Sequence, residues 1–282
     1  MATSIGALIK ESAIPQRETT MLLERILQMS RASIAAHPER YLNAQQEHLA
    51  RAWIQRRVAG EPMAYILGER EFYGVKLIVT PDVLIPRPET ETLVEQALAR
   101  LSKQYAPNTA RVLDLGTGSG AIAISLAEQR PALDIVATDI SAKALAVAIK
   151  NAKRLGVQIS FIESDWFSAL ENERFDLIVS NPPYVAHGDP HLSQGDLRFE
   201  PIGALTDNEP DQRGLACIRR IINDAPAHLN GEGWLLFEHG YDQALDCRDL
   251  LSARGFVELM CEPDLAGIPR VSGGRWPAAR RI

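Results

Sequence analysis

Cysteine is scarce in this 282-residue chain: Cys217, Cys247 and Cys261 are odd in number and too far apart for a Cys-x-x-Cys pair. That excludes a disulfide framework and a cysteine zinc site and fits a reducing compartment, so a cytoplasmic protein is expected. No apolar run approaches the roughly 18 residues needed to cross a bilayer. The N-terminal stretch MATSIGALIKESAIPQRETT lacks the charged-then-apolar order of a signal peptide, and neither secretion nor membrane insertion is expected. Basic residues are also in the minority. Thirty Lys+Arg against 36 Asp+Glu leave a formal charge of −6, which argues against a broad nucleic-acid-binding face. The short pairs Arg56-Arg57, Arg219-Arg220 and Arg280-Arg281 read as solvated surface.

What is present is an ordinary globular composition, 46% hydrophobic and 23% charged, at a length that favours two domains. Residues 1–70 read as short helices. Leu22, Leu23, Ile26, Leu27 and Met29 recur at helical spacing, as do Leu49, Trp53, Ile54 and Val58 behind a capping Asn43. Residues 71–87 are strand-rich, with Gly74 and Pro81-Asp82 as turn signals, and read as a β-hairpin linker. From residue 88 to 282 strands and helices alternate. Leu93, Ala97 and Leu101 share one helix face; RVLDL, DIVAT and DLIV are apolar strands; Ser141 caps a helix that Gly156 stops. Further helices are expected over about 211–229 and 241–254. The expected fold is α/β, a Rossmann-like sheet covered on both faces, with its ligand site at the strand carboxyl ends where the order reverses.

The first such end is Asp114-Leu115-Gly116-Thr117-Gly118-Ser119-Gly120, followed by a helix, with Asp139 closing the next strand. Glycines let a ligand approach the backbone, and a carboxylate at Asp139 suits two ribose hydroxyls. Gly116, Gly118 and Ala121 satisfy a dinucleotide pattern as well, so NAD fits these features equally. Asp114 favours S-adenosylmethionine, because an acid there is awkward beside a pyrophosphate and useful near a cationic amino group. Asp165 and Trp166, after the third strand, are placed to accept from an adenine amino group and to cover its face.

The fourth strand runs into Asn181-Pro182-Pro183-Tyr184. Two prolines fix φ and supply no N–H, so the loop offers carbonyls. Asn181 adds a side-chain oxygen and Tyr184 a flat wall. A planar –NH2 group fits, bonding the Asn181 side-chain oxygen and the Pro182 carbonyl. His187 and His191 have metal-like spacing, but Gly188 and Pro190 between them argue for a loop, and no metal is expected.

Together with that loop, Tyr65 to Gly68, Glu71 to Gly74, Ile85-Pro86-Arg87-Pro88-Glu89-Thr90-Glu91, Val112 to Ala123, Glu200-Pro201, Ala204-Leu205, Asp264 to Gly267 and Gly274 to Trp276 resemble the bacterial release-factor glutamine methyltransferase family. Two stretches depart from the family's pattern, Thr206 to Gly214 and Ile268 to Gly273. The resemblance implies a seven-stranded class I methyltransferase sheet behind a small N-terminal helical domain that docks the substrate. It implies transfer of a methyl group from S-adenosylmethionine to the N5 nitrogen of the glutamine in the Gly-Gly-Gln loop of release factors, with S-adenosylhomocysteine as product. Asn181 and Pro182 would be catalytic, with Pro183 and Tyr184 completing the substrate site. Gly116 to Gly120, Asp139, Asp165, Trp166 and Asn181 would bind the cofactor. A monomer without stable nucleic-acid binding is expected. Methylation of a ribosomal-protein glutamine ranks second, and adenine-N6 methylation third. Arg87 would brace the hinge or meet the protein substrate, and Glu200 would be a substrate contact or a helix-end anion.

Overall fold

The computed structural model describes residues 3–104, 110–206 and 213–278; Arg280-Arg281 and residues 207–212 of the atypical Thr206 to Gly214 run lie outside them. The chain divides into two compact units, Met1–Glu69 with Gln194–Phe199, and Arg70–Ser193 with Glu200–Ile282.

The first unit holds α1 (Ile5–Glu11), α2 (Gln16–Leu27), α3 (Arg31–Ala36), α4 (Ala44–Val58) and α5 (Met63–Leu67). Local chemistry sets their ends. Ser4 and Ser30 cap α1 and α3, and Asn43 with Gln46 forms a complete capping box on α4. Ile5, Leu8, Leu22, Leu23, Ile34 and Ile54 make the core. On α4 the buried stripe runs through Ala50 and Ile54, one helical turn apart, whereas Leu49 and Val58 flank it and are exposed. Arg57 is no solvated cation. It grips Glu18 with Nε at 2.8 Å and Nη2 at 3.0 Å, and its Nη1 reaches Asp196 at 3.2 Å. Arg198 donates to the Ala59 carbonyl at 2.7 Å, so segment 194–199 is held by α4 and by the residue that caps its C-terminus.

Next come β1 (Glu69–Phe72) and β2 (Val75–Ile78), a hairpin whose turn residues Tyr73 and Gly74 both have positive φ, 47° and 77°. The paired residues end at Ile78. The remainder of the 71–87 stretch, with Pro81 and Pro86, is irregular, since proline cannot extend a ladder.

The second unit continues with α6 (Glu91–Gln104), β3 (Arg111–Leu115), α7 (Ala121–Gln129), β4 (Asp134–Asp139), α8 (Ala142–Leu155), β5 (Ser160–Glu163), β6 (Phe175–Ser180), α9 (Ala216–His228), β7 (Leu229–Glu238), α10 (Ala244–Arg254), β8 (Val257–Pro263) and β9 (Pro269–Arg275). The strands form one seven-stranded sheet in the order β5-β4-β3-β6-β7-β9-β8, parallel except where β9 pairs antiparallel with β7 and β8. The atypical 268–273 run is therefore mostly an interior strand. Alternate residues face opposite layers: Val112, Trp234 and Leu236 join one core cluster, and Leu113, Leu235 and Phe237 the other. Covering both faces buries Phe237 completely, and its truncation to alanine would cost about 3–5 kcal/mol.

The order reverses between β3 and β6, and the register levels the strand ends there. Glu163 pairs with Asp139, Leu115 with Thr138 and Ser180, and Ser180 with Phe237. The residues just beyond, Ser164, Ile140, Gly116, Asn181 and Glu238, thus emerge along one edge. Ser180 Oγ donates to the Leu115 carbonyl at 2.8 Å, tying the two strands at the switch point. Asn151 of α8, fully buried, donates to the Ile78 and Ser119 carbonyls at 2.9 Å each and so secures the glycine loop from behind.

Candidate active site

Above this edge lies a cavity of about 610 Å³. Gly116, Thr117, Gly118 and Ser119 line one side, Asp139 and Ile140 the next, and Asp165 with Trp166 a third. Asn181, Pro183, Thr90 and Arg220 complete the part that concerns chemistry. Most residues singled out from sequence as cofactor ligands are thus brought together.

Two are not. Gly120 is absent from the lining: it caps α7 with φ 84°, and a Cβ there would meet Ile124 Cδ1 at 2.8 Å and Ala148 Cβ at 3.3 Å. Its lack of a side chain serves helix packing. Asp114 is wholly buried below the loop and does not meet the cavity. Its Oδ2 accepts from Thr117 Oγ1 at 2.6 Å and from the Ala123 N–H at 3.2 Å, while Oδ1 has no hydrogen-bond partner. Burial pushes its carboxyl up to about 7, against those two bonds and with a smaller contribution from Asp139. Asp114 therefore holds the loop from beneath rather than meeting a ligand's amino group.

Asp139 accepts from the Gly118 N–H and the Ser141 N–H, 2.9 Å each, one per carboxylate oxygen. Each oxygen keeps a lone pair for a ligand hydroxyl. Gly116 and Gly118 have φ of 71° and 57°, and the space a Cβ on Gly118 would occupy is open. The pocket thus fits an adenosine-like group: a carboxylate for the ribose, a backbone cradle without side chains, and an apolar wall from Ile140 and Trp166. Trp166 itself sits at φ 53°, a conformation uncommon outside glycine. Both oxygens of Asp165 are taken by Arg220, at 2.9 Å each, so this acid is shared with a cation and Arg220 is not the plain solvated surface that its charge pattern predicts.

The Asn181–Tyr184 loop is held from several directions. Pro182 is buried, and Tyr184 is partly buried outside the cavity lining. Gln243 donates to the Tyr184 carbonyl at 3.0 Å and to that of Arg213 at 2.6 Å, and the Val185 N–H donates to Leu205 at 2.9 Å. Asn181 Nδ2 donates to Thr90 Oγ1 at 3.1 Å, Thr90 donates to Glu238 Oε2 at 2.6 Å, and the Tyr184 hydroxyl donates to Glu238 Oε1 at 2.9 Å. Burial raises the Glu238 carboxyl, opposed by these two bonds and by Arg270. Burial beside Glu238 likewise raises the Tyr184 phenol, which keeps its proton.

Thr90 and Glu238 were not recognised as site residues from sequence. The available signal was an acid ending the otherwise apolar strand Trp234-Leu-Leu-Phe-Glu238 at the ligand edge. Glu200 has internal partners. Its side chain is fully buried, pairs with Arg87 and accepts from the Ile85 N–H at 3.0 Å. It is an internal staple for residues 85–87, and Arg87 is its brace. His191 bonds Asp189, and the described residues contain no cluster of three His, Cys, Asp or Glu placed to hold a metal.

Comparison with known proteins identifies the family. Residues 90–195 match the methyltransferase small domain, and residues 4–68 match the PrmC N-terminal domain. The chain is 51% identical to the release factor glutamine methyltransferase of Bordetella pertussis, over 96% of this chain and 99% of that one. It is 48% identical to the protein of that name from Neisseria gonorrhoeae, over 94% and 95%. The 16S rRNA N2 G1207 methyltransferase of T. thermophilus, solved with AdoMet and guanosine, shares the fold at TM-score 0.53 and 21% identity, over 74% of this chain and 49% of its own. The chain belongs to the release factor glutamine methyltransferase family.

Proposed function

We infer that this chain methylates the side-chain amide nitrogen of the Gly-Gly-Gln glutamine in peptide chain release factors, using S-adenosylmethionine. The observation that carries this is the meeting, at one cavity, of a nucleoside-shaped site, Asp139 with its glycine cradle, and Asn181 with Pro183 of the loop that runs to Tyr184. When bound, the cofactor supplies an electrophilic methyl group on a sulfonium. Asp139 would accept from its ribose hydroxyls, and Gly116 and Gly118 would leave room for its approach.

The obstacle is the acceptor. An amide lone pair is conjugated with its carbonyl, strongly enough to give a rotation barrier of roughly 18–20 kcal/mol in a peptide bond. Asn181 Oδ1 and the Pro182 carbonyl accept the two hydrogens of the glutamine –NH2. Each bond is worth about 1 kcal/mol net, up to about 3 where burial makes its loss costly, or roughly one to three decades in rate together. Alignment contributes more, since fixed near-attack geometry is worth about 7–11 kcal/mol. Prolines 182 and 183 and the Gln243 clamp supply that fixity. Asn181 is a positioner and not a base: a neutral amide is too weak an acid for a carboxylate to ionise near neutral pH. The nitrogen releases one proton to solvent water once methylation has made it cationic.

S-Adenosylhomocysteine is the product, and the cytoplasm, where translation terminates, is the place of action. The helical unit is the docking surface for the release factor, and the protein works as a monomer. A methyl-transfer assay offering release factor, a ribosomal-protein glutamine and DNA or RNA in separate reactions tests the assignment. Label on the release factor supports it; label on either alternative alone refutes it.

A further inference from the structure

We propose that Glu238 is a positioning residue that, through Thr90, fixes which end of the Asn181 carboxamide faces the substrate. The proposal rests on Asn181 receiving the glutamine amide, and deepens that assignment. A carboxamide is nearly symmetric in shape, so packing alone does not decide whether its oxygen or its –NH2 points into the cavity. Only the oxygen can accept from a substrate –NH2. The wrong rotamer would present hydrogens to hydrogens.

The hydrogen-bond chain removes the ambiguity. Burial and nearby Glu89 raise the Glu238 carboxyl, Arg270 and two donated hydroxyls oppose them, and with a hydroxyl donated to each oxygen the group acts here as an acceptor alone. Thr90 therefore gives its single hydroxyl proton to Glu238, at 2.6 Å. Its oxygen can then only accept from Asn181, at 3.1 Å, and the group that donates is Nδ2. Asn181 Oδ1 is left for the substrate. The second oxygen of Glu238 takes the Tyr184 hydroxyl at 2.9 Å, so one buried carboxylate orients both the amide-accepting residue and the aromatic wall. The three partners come from the turn before α6, the loop after β6 and the end of β7, with Thr90 and Glu238 148 positions apart in the sequence.

Glu238→Gln keeps the shape but brings an –NH2 that must donate to Thr90 or Tyr184. Where Thr90 receives it, the Thr90 proton turns toward Asn181, which then presents its –NH2 to the cavity. Thr90→Val removes the relay outright, and Thr90→Ser keeps it.

The test compares these full-length variants on a release factor, with cofactor affinity and melting temperature measured in parallel. Thr90→Ser should keep kcat within about threefold, while Thr90→Val and Glu238→Gln each lose about ten- to a hundredfold with cofactor Kd within about threefold. Added to Asn181→Ala, neither change should reduce transfer further, because their effect passes through that residue. A competing peptide with glutamate in place of the glutamine provides a readout that mere loosening would not move. Wild type should prefer the glutamine peptide, and Glu238→Gln should narrow that preference. Equal activity of Thr90→Val and Thr90→Ser, or losses that multiply with Asn181→Ala, would overturn the assignment. If Glu238→Gln does not fold, the Thr90 pair alone decides it. Wild-type protein that leaves release factors unmethylated would overturn the parent function as well; active wild type with unimpaired Glu238→Gln would overturn this proposal alone.

Discussion

Gly214 packs its backbone directly on Tyr184: a Cβ placed on it would stand 2.2 Å from the Tyr184 carbonyl oxygen and 2.9 Å from the Ala186 nitrogen. Both obstacles are backbone, so no rotamer change relieves them, and φ at Gly214 is 62° besides. Overpacking of this kind costs about 1–3 kcal/mol. Gly214→Ala should displace the substrate loop and lower kcat/KM for the release factor by about tenfold or more. Cofactor affinity, measured by titration calorimetry, should stay within a few-fold, since Asp139 and the glycine loop lie elsewhere.

Tyr184 is expected to pack on the glutamine side chain, which alone would make Tyr184→Phe mild and Tyr184→Ala severe. The hydroxyl, however, donates to buried Glu238. Phenylalanine leaves that carboxylate oxygen one donor short, at a cost of about 1–3 kcal/mol. Steady-state kinetics should therefore place Phe between wild type and Ala. Phe indistinguishable from wild type would mean that the Glu238 bond has no bearing on transfer.

Asp139 braces the glycine loop through Gly118 and caps its own turn through Ser141. Asp139→Ala removes both bonds along with the ribose acceptor. Cofactor Kd should rise by at least about tenfold. An unchanged Kd would place the nucleoside away from β4.

Asp114 makes stability depend on pH. Its folded-state carboxyl titrates at about 7 against an ordinary 3.8, because burial disfavours the charged form. A raised acid is favourable when protonated: its contribution is complete below 3.8, declines between 3.8 and about 7, and is lowest above that. Asp114→Asn cannot ionise. In the cofactor-free protein its stability relative to wild type should therefore rise by about 2–3 kcal/mol between pH 5 and pH 8. Denaturant melts at the two pH values check this. An equal difference at both would show that Asp114 does not titrate in the window.

Much of this architecture follows from local pattern. Ser141 and Gly156 bound α8 as their chemistry dictates, and Asn43 begins α4. The apolar strands lead to the glycine loop, Asp139 and Asn181 at one sheet edge, as a parallel sheet with one order reversal requires. What pattern could not convey was partnership. Arg220 and Asp165 are 55 residues apart, and Thr90 and Glu238 are 148 apart. Only folding shows that each pair meets. The same holds for Gln194–Phe199, which follow the substrate loop in sequence yet belong to the helical unit through Arg57 and Ala59. Deleting the N-terminal residues would strip that segment of its partners, so docking is better probed by surface substitutions on the helices.

The most direct measurement is mass spectrometry of a release-factor digest after incubation with S-adenosylmethionine and either wild-type protein or Asn181→Ala. Wild type should leave one added methyl on the Gly-Gly-Gln glutamine, and Asn181→Ala almost none, with cofactor bound within a few-fold of normal. A methyl on any other residue, or near-normal turnover by Asn181→Ala, would contradict the role given to that side chain.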